Sequence, residues 1–367
     1  MSDKAINKQF KILYALGIFF VVAGHYANGG VNFFFDWFKP YAFHLGLFVF
    51  GSGYFYNKEN ENRVGCFVWS RFKKLIIPLY AWNLFYAGLV LVLNGLGFEF
   101  PIQVNVYNLL IAPLNDGHQF VFNLASWFIV PFFMVQVFSV VLRKLLSKTG
   151  IKNEWFIFTI FLVIGMIGIG LASKGYYTGN WLVLSRFCYF LPFFAIGYLY
   201  KTVLEEKADK VASTIYFTVV FGIQALVMII YGDAYAYTPS KCDNFDNAFM
   251  PIMIGVLGIA FWVRCAKLLV PVVGDSKVVR LVADNTYSIM MHHFLGLFLI
   301  KCFFAIIKYY GIACSSFDLE VFKSTPLYVY IPFGINAFAV FMVLGSMAFS
   351  IAFGKIPKVV SKNVCKR

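Results

Sequence analysis

A few ionisable residues stand inside long apolar runs of this 367-residue sequence, among them His25, His44, Arg186, His292 and His293. A charge-capable group is costly to hold in such surroundings, so by default it marks function. An imidazole titrating near neutral pH suits proton abstraction from a hydroxyl. Arg71, Lys73 and Lys74 gather where another apolar run begins, and such cations suit a phosphate-bearing donor. Together these residue types point to group transfer from a phosphorylated donor to a hydroxyl. Each also has a structural reading. A lone histidine can tie two helices together, and basic residues at a run's edge can anchor it at an interface. Adjacent His292 and His293 point about 100° apart on a helix, so at most one faces a shared passage. Arg186, five residues into its run, needs a partner or a water-filled cavity. His118, beside Asn115 and Asp116, reads as a solvated loop residue.

Other chemistries lack their residues. The runs contain no phosphate-binding glycine loop, no His-Glu-x-x-His, no nucleophile elbow and no paired carboxylates. Asp246 and Asp284 stand only at run edges, which weighs against proton-coupled transport. The seven cysteines follow no metal-ligand spacing, so no metal is expected. Cys242 and Cys314 fall in expected outer loops, and the sequence leaves their pairing open.

The elements that must position these groups are membrane helices. The chain is 60% hydrophobic and only 13% charged, with mean hydropathy +0.75, whereas soluble domains average about 25% charged residues. Ten runs approach the length needed to cross about 30 Å of hydrocarbon. They cover roughly 10–28, 40–56, 74–97, 120–142, 154–173, 181–200, 211–231, 246–268, 285–307 and 326–353. With the N-terminus inside, 24 of the 31 Lys and Arg fall on inner segments and six on outer ones, Lys301 among the six. That bias follows the positive-inside rule and places both termini in the cytoplasm. The expected fold is an all-α, polytopic transmembrane bundle of about ten spans, one domain over 1–367, in the cytoplasmic (plasma) membrane. The net charge of +14 is then mainly a topology signal, helped by anionic lipid, and calls for no nucleic acid. No cleavable leader is expected, because Gly and Asn follow the span-length first run. His25 falls about 22 Å along its helix, beyond the midplane toward the outside. A short echo, GYFYNK at 53–58 and GYLYK at 197–201, is too brief to argue for a repeat.

Six fragments, in order, resemble the acyltransferase-3 family of integral membrane acyltransferases. LGIFFVVAGHY is similar to that family's first span, and AFHLGLFVFGSGYFY to its second. WSRFKKLIIPLY resembles its basic segment, supplying Arg71, Lys74 and Pro78. SWFIVPFF at 126–133, RFCYFLPFFAIGYLYK at 186–201 and NTYSIMMHHFL complete the series, the last placing His293 on a family histidine. One position departs: many relatives carry Arg or Lys eleven residues before the first-span histidine, where this chain has Tyr14. Lys11, one turn earlier, is placed to serve instead.

The resemblance implies an acyl-CoA-dependent O-acyltransferase that takes acetyl-CoA as co-substrate and holds no permanent cofactor. The acceptor it implies is a hydroxyl of a cell-envelope or exopolysaccharide sugar, lipid-linked or not. In this reading His25 is catalytic, as general base or transient acyl carrier, and Arg71, Lys74 and Lys11 hold the donor phosphates. His44, Tyr14, Trp127, Arg186 and His293 position the substrates. Apolar walls would limit thioester hydrolysis. A polysaccharide or lipid-linked sugar exporter without acyl chemistry is the alternative, since many spans and a polar-lined passage would serve it too.

Overall fold

The computed structural model describes residues 7–26, 37–330 and 335–355. Ten long helices form where the apolar runs lie. They are α1 (Lys8–Tyr26), α2 (Pro40–Tyr54), α3 (Val64–Gly95), α4 (Ile129–Lys148), α5 (Glu154–Ala172), α6 (Asn180–Leu199), α7 (Ser213–Tyr231), α8 (Met250–Val273), α9 (Thr286–Tyr309) and α10 (Ile335–Phe353). Shorter helical turns join several of them. No β-strand forms among the described residues, which hold one isolated bridge between Gln119 and Asn123. Eight of the ten are long and apolar enough to cross a membrane. Of the other two, α2 has 15 residues and α10 has 19.

Local sequence explains several helix ends. Pro40 opens α2, where a missing N–H costs nothing. The Asn153 side chain caps α5, accepting from the backbone N–H groups of Trp155 at 2.9 Å and Phe156 at 3.2 Å. Gly232 closes α7 with φ 79°, a left-handed position that suits glycine. The helix that carries the third apolar run starts well before it. α3 begins at Val64 and runs 32 residues, about 48 Å, so Arg71, Lys73 and Lys74 are carried on a formed helix rather than marking its first turn. Their charges ended the apolar run but not the helix, because long cationic side chains have good helix propensity.

Contacts divide the chain into two units, the first comprising residues 1–17, 34–78 and 128–276. In it, α6 is the hub: α5, α2 and α4 pack against it, and α8 packs on α2. The α2–α6 crossing is unusually close. A Cβ added to Gly53 would lie 1.9 Å from the Phe194 carbonyl oxygen, and one added to Gly197 would lie 2.0 Å from that of Phe50. Both halves of the GYFYNK/GYLYK echo therefore serve one contact, each glycine admitting the other helix's backbone. Where α4 meets α5, Arg143 donates twice to Glu154, at 2.9 and 2.6 Å. Its guanidinium also lies 4.0 Å over the Tyr198 ring.

The second unit comprises residues 18–33, 79–127 and 277–367. Its principal packing is α9 against α10. Tyr86, from the second part of α3, hydrogen-bonds at 2.6 Å with His292 Nδ1 on α9.

Candidate active site

His25 is the penultimate residue of α1 and half-buried; His293 is fully buried about two turns into α9. His25 Nδ1 lies 2.9 Å from His293 Nε2, and the two ring planes are nearly parallel, 16° apart, with centroids separated by 5.0 Å. Phe294 flanks the pair, its ring 4.8 Å from that of His25.

The neighbours of His293 fix which nitrogens carry protons. Its Nδ1 lies 3.0 Å from the carbonyl oxygen of Ile289 and 2.9 Å from that of Met290. A carbonyl can only accept, so Nδ1 must be the protonated nitrogen of the neutral ring. His293 Nε2 then bears the lone pair, and His25 must donate its Nδ1–H to it. By the same logic the lone pair of neutral His25 lies on Nε2. One histidine thus orients the other and sets its tautomer, the role a carboxylate plays in hydrolase triads. Here the partner is neutral.

A narrow pocket adjoins this pair, lined by His25, Tyr26, Leu297, Lys301, Tyr328 and Tyr330, with Leu327 and Met342 completing it. Sequence reasoning assigned Lys301 to an outer segment; the structure instead buries it within α9. It lies two steps of four residues beyond His293, with Leu297 between, along one ridge of the helix. That spacing inside an apolar run was the available signal.

His292 turns away from the pair, hydrogen-bonded to Tyr86, with its ring 4.2 Å from that of Trp82. The 100° divergence expected for adjacent residues is therefore realised, and His293 is the one that meets His25.

The remaining candidates take separate places. Arg71 and Lys74 line one groove of the first unit with Arg63, Asn60, Asn62 and Ser70. Its volume is about 700 Å³, and Glu59 adds a carboxylate to its lining. Arg71 also covers the Phe67 ring at 4.9 Å. Lys11 does not line that groove. Tyr14 stacks on Phe48 at 5.8 Å, with its hydroxyl so close to Gly51 that a Cβ there would lie 2.2 Å away. His44 is buried, its Nδ1 2.5 Å from the Pro40 carbonyl in its own helix. Arg186 is buried and donates from Nε at 3.0 Å, and from a second nitrogen, to the carbonyl of Ser240. This contact fastens the loop between α7 and α8. In that loop, burial pushes the Cys242 thiol up to about 12 despite the opposing influence of Arg186. Cys242 and Cys314 are both free thiols. Trp127 is buried in the turn Leu124–Phe128, its ring 6.1 Å from His118. His118 in turn holds Asp116 at 2.8 Å. No cluster of three or more metal-ligating side chains occurs among the described residues.

The model of the acyltransferase-3 family, described as an acyltransferase domain, matches residues 7–355. No curated protein and no solved structure matches the chain.

Proposed function

The chain belongs to the acyltransferase-3 family and is a multi-pass membrane acyltransferase; from that premise we propose that it moves an acyl group from cytoplasmic acyl-CoA to a sugar hydroxyl. The acyl group in this reading is acetyl, and the acceptor belongs to a cell-envelope or exopolysaccharide glycan at the plasma membrane. The observation that carries the reading is the His25–His293 pair at 2.9 Å, with the tautomer it imposes.

In the proposed reaction, His25 Nε2 takes the proton of the acceptor hydroxyl as its oxygen attacks the thioester carbonyl. The new C–O bond forms a tetrahedral intermediate. Its collapse breaks the C–S bond, and the departing CoA sulfur takes the proton back from His25. Throughout, His25 keeps its Nδ1–H on His293 Nε2, so the ring need not reorient between accepting and returning the proton. General base assistance of this kind contributes about 10²–10⁴-fold.

The groove holding Arg63, Arg71 and Lys74 is the proposed seat of the donor's phosphates, since charge-assisted bonds from such cations are the strong ones. His44 and Arg186, engaged with backbone carbonyls, serve in this reading by holding α2 and the α7–α8 loop in shape. Tyr14, seated over Gly51, replaces the family's cation with an uncharged hydroxyl. The test is transfer of labelled acetyl from acetyl-CoA by purified protein to glycan extracted from a strain lacking this enzyme. Label in the glycan is expected; none with acetyl-CoA or any longer acyl-CoA would overturn the reading.

A further inference from the structure

Lys301 is 5% exposed and lies on the wall of the pocket that His25 also lines. Its ammonium donates to the carbonyl oxygens of Pro326 at 2.6 Å and Tyr328 at 3.2 Å. The Phe322 ring lies 5.7 Å away. These partners use two of its three N–H groups, and among the described residues no carboxylate pairs with it. A cation buried without a counter-charge is costly, and within a membrane helix such a group is the mark of a ligand path. A fastener for the 325–330 segment would need no net charge, since a neutral amide donor could hold the same two carbonyls.

We propose that Lys301 is a specificity-determining residue that receives an anionic group of the acceptor, a carboxylate or a phosphate, while the acceptor's hydroxyl meets His25. The inference rests on the acyl-transfer reading for His25 but concerns the acceptor alone. Lys301 follows His293 by eight residues, about 12 Å of helix rise. It therefore reaches a group several bonds from the reacting hydroxyl, as a sugar carboxylate or sugar phosphate is. Tyr26, Tyr328 and Tyr330 line the same narrow pocket. Tyr26 is held there by donating to the Tyr330 carbonyl at 3.3 Å.

The test uses full-length protein in nanodiscs carrying Arg71→Gln and Lys74→Gln, so that the basic groove does not contribute anion binding. Methyl glucuronide, glucose 1-phosphate and methyl glucoside are titrated at constant ionic strength, and melting is followed by intrinsic fluorescence. At least one anionic probe is expected to bind tenfold or more tightly than the glucoside, and the better of the two identifies carboxylate or phosphate. Adding Lys301→Gln should erase the preference, and Lys301→Arg should keep most of it. Equal affinity for all three probes overturns the proposal whether or not the Gln variant folds. So does a preference that survives Lys301→Gln, and so does an equal loss for charged and neutral probes, which marks a structural fastener. Failure of acetyl transfer counts against the enzymatic reading and leaves this binding result standing.

Discussion

Replacing His293 by leucine keeps side-chain bulk but removes the nitrogen that accepts from His25. The structure sets the size of the effect. The lost bond is a neutral one at 2.9 Å, and stranding its half-buried donor costs about 1–3 kcal/mol. If that cost falls on the productive tautomer and orientation, each 1.36 kcal/mol is tenfold in rate, so kcat should drop about 5- to 150-fold. KM for acetyl-CoA should stay within about threefold, because His293 orients the base rather than binding the donor. His293→Gln, whose amide oxygen can accept the same N–H, should recover part of the loss. Steady-state transfer of labelled acetyl at saturating donor measures all three values. An unchanged kcat in the leucine variant would refute the tautomer argument. A loss as complete as that from removing His25 would also refute it, since His293 would then be a reacting group and not its support.

Two further outcomes follow from the geometry. Gly53→Ala and Gly197→Ala each thrust a methyl to within about 2 Å of a backbone oxygen on the facing helix. Overpacking of this kind costs about 1–3 kcal/mol, so both should melt several degrees lower in detergent by intrinsic fluorescence; unchanged melting would show that the α2–α6 crossing yields easily. Arg71→Gln with Lys74→Gln should raise KM for acetyl-CoA at least tenfold while kcat stays within about threefold, as loss of uniform binding requires. A fall in kcat alone would remove the groove from donor binding.

The helices were legible because lipid imposes one strong constraint: backbone groups must be satisfied within each span, so apolar length reports helix directly. Each of the ten apolar runs holds a long helix among the described residues. The start of α3 was not legible, since charge ends a hydropathy signal without ending a helix. The GY echo was visible as a string, but its reason, two glycines admitting each other's neighbours, is a packing fact with no local sequence signature. The histidine pair shows a similar division. His25 stood out as an ionisable group in an apolar run, and alignment to the family singled out His293 over His292. That they bond to one another depends on residues 268 apart, beyond the reach of periodicity. The burial of Lys301 was not legible, because a lysine near a span's end ordinarily snorkels to water. Only the burial of its whole side chain, against carbonyls some 25 residues further on, distinguishes it from an anchor.

The most direct measurement of the central claim replaces His25 by alanine and follows acetyl transfer from acetyl-CoA by the purified, correctly inserted protein. The account predicts that transfer falls by at least about 10²-fold, as loss of a general base does, while the melting temperature stays near that of the wild type. Transfer within a few-fold of wild type would contradict it, and would move the chemistry away from the His25–His293 pair.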